Sequence, residues 1–165
     1  MGDRVYLNIR FHKQDAEIVA ECLGLESGID VLEHASEDSD DGTVWLVVEQ
    51  ANGGLHEERA ELAAKCVAFE GYHCTGCEYG SCVFCAIDGK MIEADAVESS
   101  VVTLAVLMDE DTGDFYAESL ATAQEYVGAL RKVRAYFKNP PSMESAMDTA
   151  SQRESPGDVR ARDVL

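Results

Sequence analysis

A chain of 165 residues with 46% apolar side chains is long enough to build one domain around a sizeable core, and too apolar to belong to the unfolded class. Its formal net charge of -19, from 32 Asp and Glu against 13 Lys and Arg, argues against direct binding to bare nucleic acid or to an anionic membrane. No apolar run approaches the roughly 18 residues that a membrane-spanning helix needs; the longest, Val101 to Met108, is broken by Thr103.

The first residues, Met-Gly-Asp-Arg-Val-Tyr, lack the basic-then-apolar pattern of a secretion signal, so a cytoplasmic protein is expected. From Val5 to Phe11 apolar and polar residues alternate, the signature of a half-buried strand with Val5, Leu7, Ile9 and Phe11 inward. Asp15 to Leu23 carries Ile18, Val19, Cys22 and Leu23 on one helical face, and Gly24 suits the left-handed residue that closes a helix. Ile29 to His34 and Thr43 to Glu49 read as two strands, with an acidic connection between them. The spacing of Leu55, Leu62, Cys66 and Phe69 predicts a helix over 56–70, stopped by Gly71. Cys22 and Cys66 then sit on apolar helix faces as core residues, and Trp45 reads as core within its strand.

Beyond the cysteine-rich segment, Ala86 to Ile92 reads as a hairpin, because Asp88-Gly89 suits a type I′ turn. Val101 to Met108 predicts a buried strand. Ala123, Tyr126, Leu130, Val133 and Phe137 share a face of a helix over 118–138. Its C-terminal end carries Arg131, Lys132, Arg134 and Lys138, where the helix dipole favours cations. Residues 139–165 lack periodicity and read as a disordered tail behind a single domain over 1–138. The fold class expected is α+β: a mixed or antiparallel sheet with helices on one face and a ferredoxin-like βαββα start.

The segment 73–85 holds Cys74, Cys77, Cys82 and Cys85, two Cys-x2-Cys pairs within twelve residues. Each pair can clasp one side of an ion, and four thiolates satisfy a tetrahedral zinc. In a chain expected to be cytoplasmic, such spacing points to metal before disulfides. His73 is an alternative fourth ligand. Only four residues separate the pairs, fewer than in a zinc ribbon. Cys77, Cys82 and Cys85 also match the first three positions of a plant-type [2Fe–2S] spacing, although no later cysteine completes it. A closed four-thiolate zinc has no open position for catalysis, so the expected role of the loop is a structural staple.

Nucleophile, phosphate-loop and dinucleotide motifs are absent from the sequence, and no enzyme activity is expected. An EF-hand register around Gly42 would place Val48 where the loop requires Glu. The expected function is that of an acidic interaction protein, held by zinc, that meets a basic protein surface. Its candidate contacts are Glu37, Asp38, Asp40 and Asp41 in the first acidic turn and Asp109, Glu110, Asp111 and Asp114 in the second. In its sharpest form the protein mimics nucleic acid, as inhibitors carried by phages and plasmids against restriction or CRISPR systems do. An iron–sulfur electron carrier is one alternative. Another is an accessory domain of a salt-adapted organism, because only five lysines occur and molar salt shortens the Debye length to about 3 Å.

Overall fold

A computed structural model describes residues 4–37, 41–76, 80–98 and 102–140. The fold is α+β. Strand β1 (Arg4–His12) leads through a 3-10 turn into α1 (Ala16–Leu23), followed by α2 (Gly28–His34), β2 (Ser36–Glu37) and β3 (Thr43–Asn52). Helix α3 (His56–Ala64) precedes the strands β4 (Phe69–His73), β5 (Cys82–Ile87), β6 (Lys90–Glu98) and β7 (Val102–Leu104), and α4 (Ala117–Lys138) closes the described chain. The strands form one sheet in the order β2-β3-β1-β4-β5-β6-β7, every pairing antiparallel.

The alternation in β1 has its expected result: Val5, Leu7, Ile9 and Phe11 are buried, the last three completely. They meet Val19, Leu23, Val31 and Leu62 from α1, α2 and α3, together with Phe69 and Phe84 of the sheet. The opposite face carries a second core, in which Val83, Cys85 and Ala94 pack under Tyr126, Ala129, Val133 and Phe137 of α4. Helices therefore cover both faces, not one as expected from sequence. The reason is that β5 is apolar at successive positions rather than at alternate ones, so both of its faces must be covered.

Three segments differ from the sequence reading. Ile29 to His34 is helical, not a strand. Ser27 caps it by accepting from the Asp30 amide at 3.2 Å, while its hydroxyl donates to the Asp30 carboxylate at 2.7 Å. This reciprocal cap outweighs the β-propensity of Ile29 and Val31. Helix α3 ends at Ala64, because Cys66 takes a left-handed conformation with φ 60, and Phe69 to Gly71 belong to β4. Cys66 is accordingly exposed, whereas Cys22 is buried as expected. The predicted buried strand from Val101 shrinks to β7, half-exposed at the sheet edge; Val101 lies outside the described residues.

The Asp88-Gly89 turn has φ of 55 and 80, the left-handed pair that a type I′ hairpin requires. Trp45 is half-buried, 6.4 Å from the ring of Tyr72. Among the described residues no helix is long and apolar enough to cross a membrane. Of the predicted tail, Asn139 and Pro140 are described and 141–165 lie outside the described residues.

Candidate functional site

The cysteine segment begins where β4 ends. His73 is buried against Gly54, with Nδ1 3.2 Å from the Cys74 carbonyl oxygen, and the Cys74 amide donates to the Tyr6 carbonyl at 3.1 Å. Cys77 lies outside the described residues. Cys82 opens β5 opposite His73 on one side and Asp95 on the other, while Cys85 stands opposite Glu70 and Ile92. Both ladders run without a register shift from Cys82 to Ala86.

In an unbroken strand, residues three apart point to opposite faces. Cys82 shares the parity of Phe84 and Ala86, which face α1 and α3. Cys85 shares that of Val83, which faces α4. Its sulfur is fully buried, with Sγ 3.9 Å from the Tyr126 carbonyl oxygen. The sheet itself stands between the two thiols, so Cys82 and Cys85 do not fit one zinc ion. The same separation applies to a [2Fe–2S] cluster held by Cys77, Cys82 and Cys85. Among the described residues no three His, Cys, Asp or Glu side chains are grouped to hold an ion. Burial pushes the Cys85 thiol up to about 12 and the Cys82 thiol up to about 11, with the Glu70 and Glu93 carboxylates respectively adding to the shift. Cys74 is also raised, by burial and then by the Glu98 charge.

Beside Cys82 lies an ionic centre that the sequence reading missed. Arg59 of α3 is among the most buried side chains of the protein. Its Nε donates to the Gly54 carbonyl at 2.8 Å and its Nη1 to Glu93 Oε1 at 2.6 Å, while the guanidinium lies 4.1 Å above the Phe84 ring. His56 Nδ1 is 3.0 Å from the other oxygen of Glu93. Burial lowers the His73 pKa, and the nearby Arg59 charge lowers it further. The arrangement pins α3 to β6. A signal existed: Arg59 falls four residues after Leu55 and three before Leu62, on the apolar side of its helix.

The two acidic turns have different roles. Asp41 is spent internally: Oδ2 is 3.0 Å from Arg10 Nη2, and Oδ1 accepts from the Thr43 amide at 3.2 Å and the Thr43 hydroxyl at 2.5 Å. Glu37 lies in β2, and Asp38 and Asp40 lie outside the described residues. The second turn is a small hairpin. It is closed by Asp109 N–H to the Asp114 carbonyl at 2.9 Å, Tyr116 N–H to the Leu107 carbonyl at 3.0 Å, and a bridge between Met108 and Phe115. Asp109 Oδ1 accepts from the amides of Asp111 and Thr112 at 2.9 and 3.0 Å, while Glu110, Asp111 and Asp114 are exposed.

Sequence reading gave this turn its carboxylates but not its apolar stem. Leu107, Met108, Phe115 and Tyr116 are 50–56% exposed. Next to them a cleft of about 660 Å³ opens beside β6, bordered by Leu107, Tyr116, Cys82, Glu93, Asp95 and Glu118, with no Lys or Arg in its lining. No protein-family model matches the chain, and no curated protein or solved structure matches it.

Proposed function

We propose that this is an acidic interaction protein that binds a basic surface of another protein, through the hairpin around Asp109–Asp114 and the adjoining cleft. The observation that carries the reading is the pairing of four half-exposed apolar side chains with a rim of free carboxylates. An apolar patch rimmed by charge is the usual form of a protein-binding surface, and charges of one sign steer a partner of the other. Solvation alone accounts for exposed carboxylates, but not for two exposed apolar pairs on one short hairpin, Leu107 with Tyr116 beside the cleft and Met108 with Phe115 on the other face. Mimicry of nucleic acid is the sharpest version: the carboxylates occupy positions that phosphates take on the partner.

Among the described residues the cysteines are free thiols, in keeping with a cytoplasmic setting. We also read the seven elements from β1 to β4 as a ferredoxin-like sandwich, with α2 inserted after α1. The strand order β2-β3-β1-β4 supports this, with α1 and α3 over the same face.

The test is affinity capture from a lysate, followed by titration of the captured partner at low and high salt. Affinity should fall steeply as salt rises, and by about tenfold in the E110Q/D111N/D114N variant, roughly 1.4 kcal/mol. Displacement of the partner's own nucleic acid would support mimicry. An affinity that ignores both salt and the triple variant would overturn the reading.

A further inference from the structure

We infer that the outer edge of β3, with α2 beside it, is a docking groove for an extended, lysine- or arginine-bearing segment of a partner protein, which adds to the sheet as another strand. The inference rests on the reading of a basic partner and adds the place where its main chain binds.

Strand β3 is 10 residues long, and its inner edge pairs with β1 from Thr43 to Val48 and again at Ala51 and Asn52, across a bulge at residues 49–50. Its outer edge meets β2 only at Val44 and Trp45. Among the described residues, no other main-chain hydrogen bond reaches Leu46 to Glu49 from that side. A row of open N–H and C=O groups is a template for one more strand.

The surroundings favour such a guest. A cleft of about 530 Å³ follows this edge, lined by the consecutive residues Leu46, Val47, Val48 and Glu49. Successive residues of the regular part of the strand point to opposite faces, so a cleft touching Leu46, Val47 and Val48 runs along the edge rather than over one face. The far wall is α2, which supplies Val31. Alternate side chains of an added strand would therefore lie against the part-buried Leu25 and Val48 on the α2 side, above the core residues Val31 and Leu46, and beside the half-exposed Val47 on the other.

Charge selects the guest. The acidic residues of the lining are Glu26, Glu49 and Asp30, the last already accepting from the Ser27 hydroxyl; His34 also lines the groove, and no Lys or Arg does. Carboxylates along an open edge repel an acidic strand and attract a basic one. A second copy of the chain, at -19, would bring a second acidic edge and be repelled.

The experiment uses the full chain and a short fluorescent peptide of alternating valine and lysine. Controls are the same peptide N-methylated at every residue, which keeps the charge and removes the main-chain donors, and the protein variant E26K/E49K. Both glutamates are exposed, so the fold should tolerate the change. The unmethylated peptide should bind, protect the Leu46–Glu49 amides from hydrogen exchange, and bind E26K/E49K about tenfold more weakly. Equal binding of the methylated peptide would leave charge attraction alone and overturn strand addition, with the basic-partner reading intact. Failure of both peptides, while the hairpin variants still alter capture of the partner, would overturn the groove alone. Binding indifferent to E26K/E49K would overturn the basic character of the guest.

Discussion

Arg134 of α4 donates Nε and Nη2 to the same oxygen of Glu70, Oε2, at 2.9 Å each. The other oxygen of Glu70 receives Nη1 of Arg10 at 3.0 Å, and the guanidinium of Arg10 lies 5.3 Å from the Phe137 ring centre. One carboxylate in the middle strand β4 thus holds β1 and the last helix together. It is nearly inaccessible, its side chain 5% exposed, whereas that of Arg134 is 58% exposed.

That asymmetry predicts unequal losses. Glu70→Ala should cost about 3 kcal/mol, because it leaves the half-buried Arg10 short of a counter-charge and opens a gap under α4. Arg134→Ala removes the exposed partner and should cost about 1 kcal/mol or less. Urea unfolding followed by circular dichroism separates the two. Equal losses would mean that the clamp is not held by its buried member.

Gly71 should not accept a side chain. A Cβ there would run into the Asn8 carbonyl oxygen of β1 and the ring of Phe84, and neither has room to move. Gly71→Ala is expected to destabilise by about 3 kcal/mol or more, through overpacking at a strand crossing. Gly128 in α4 has nothing within 4 Å of the corresponding position, so Gly128→Ala should stabilise by about 0.5–1 kcal/mol. Thermal melts of the two variants should shift in opposite directions.

The cysteines should behave individually rather than as a set. With Cys85 fully buried and its thiol pushed up to about 12, a thiol reagent at mildly alkaline pH should label Cys66 rapidly and leave Cys85 untouched until the chain unfolds. Elemental analysis of Cys85→Ala should give the same metal content as the parent chain. A stoichiometric metal lost in that variant would contradict the placement of Cys82 and Cys85 on opposite faces of the sheet.

Asp15 should oppose stability at neutral pH. Its Oδ2 is buried without a hydrogen-bond partner among the described residues, and burial raises its pKa from 3.8 to about 6. The folded state therefore holds this proton more tightly than the unfolded state. The protonated group carries no penalty below about pH 4. The penalty grows as pH rises towards 6 and is complete above it. Asp15→Asn should be more stable than the parent above pH 6, by about 1 kcal/mol after allowance for partial exposure, and the gain should vanish near pH 4. Unfolding free energies of both chains across that range check the sign.

Much of the scaffold was legible because short-range chemistry decides it. The alternation of β1, the left-handed Gly24, the Asp88-Gly89 turn and the long apolar stripe of α4 each depend on neighbours within a few residues. The β-propensity of Ile29 and Val31 points to a strand over 29–34, and the Ser27–Asp30 cap overrides it. The end of α3 is not legible in the sequence, because Cys66 takes a left-handed conformation usually left to Gly or Asn.

By itself the sequence determined the α+β class, the heavy excess of carboxylates and the positions of the thiols, since composition and local periodicity contain these. Only the tertiary structure decided which of those groups meet. A two-residue side-chain period in β5 sends Cys82 and Cys85 to opposite faces, although they stand three residues apart. Pairing with distant strands turns Asp41 inward to Arg10, while the hairpin leaves Glu110, Asp111 and Asp114 in water. Among the described residues, β2 pairs with β3 only at Val44 and Trp45, a pairing that no local pattern in the sequence announces. Spacing along a chain sets what residues can do together only after strand pairing has chosen the face each one occupies.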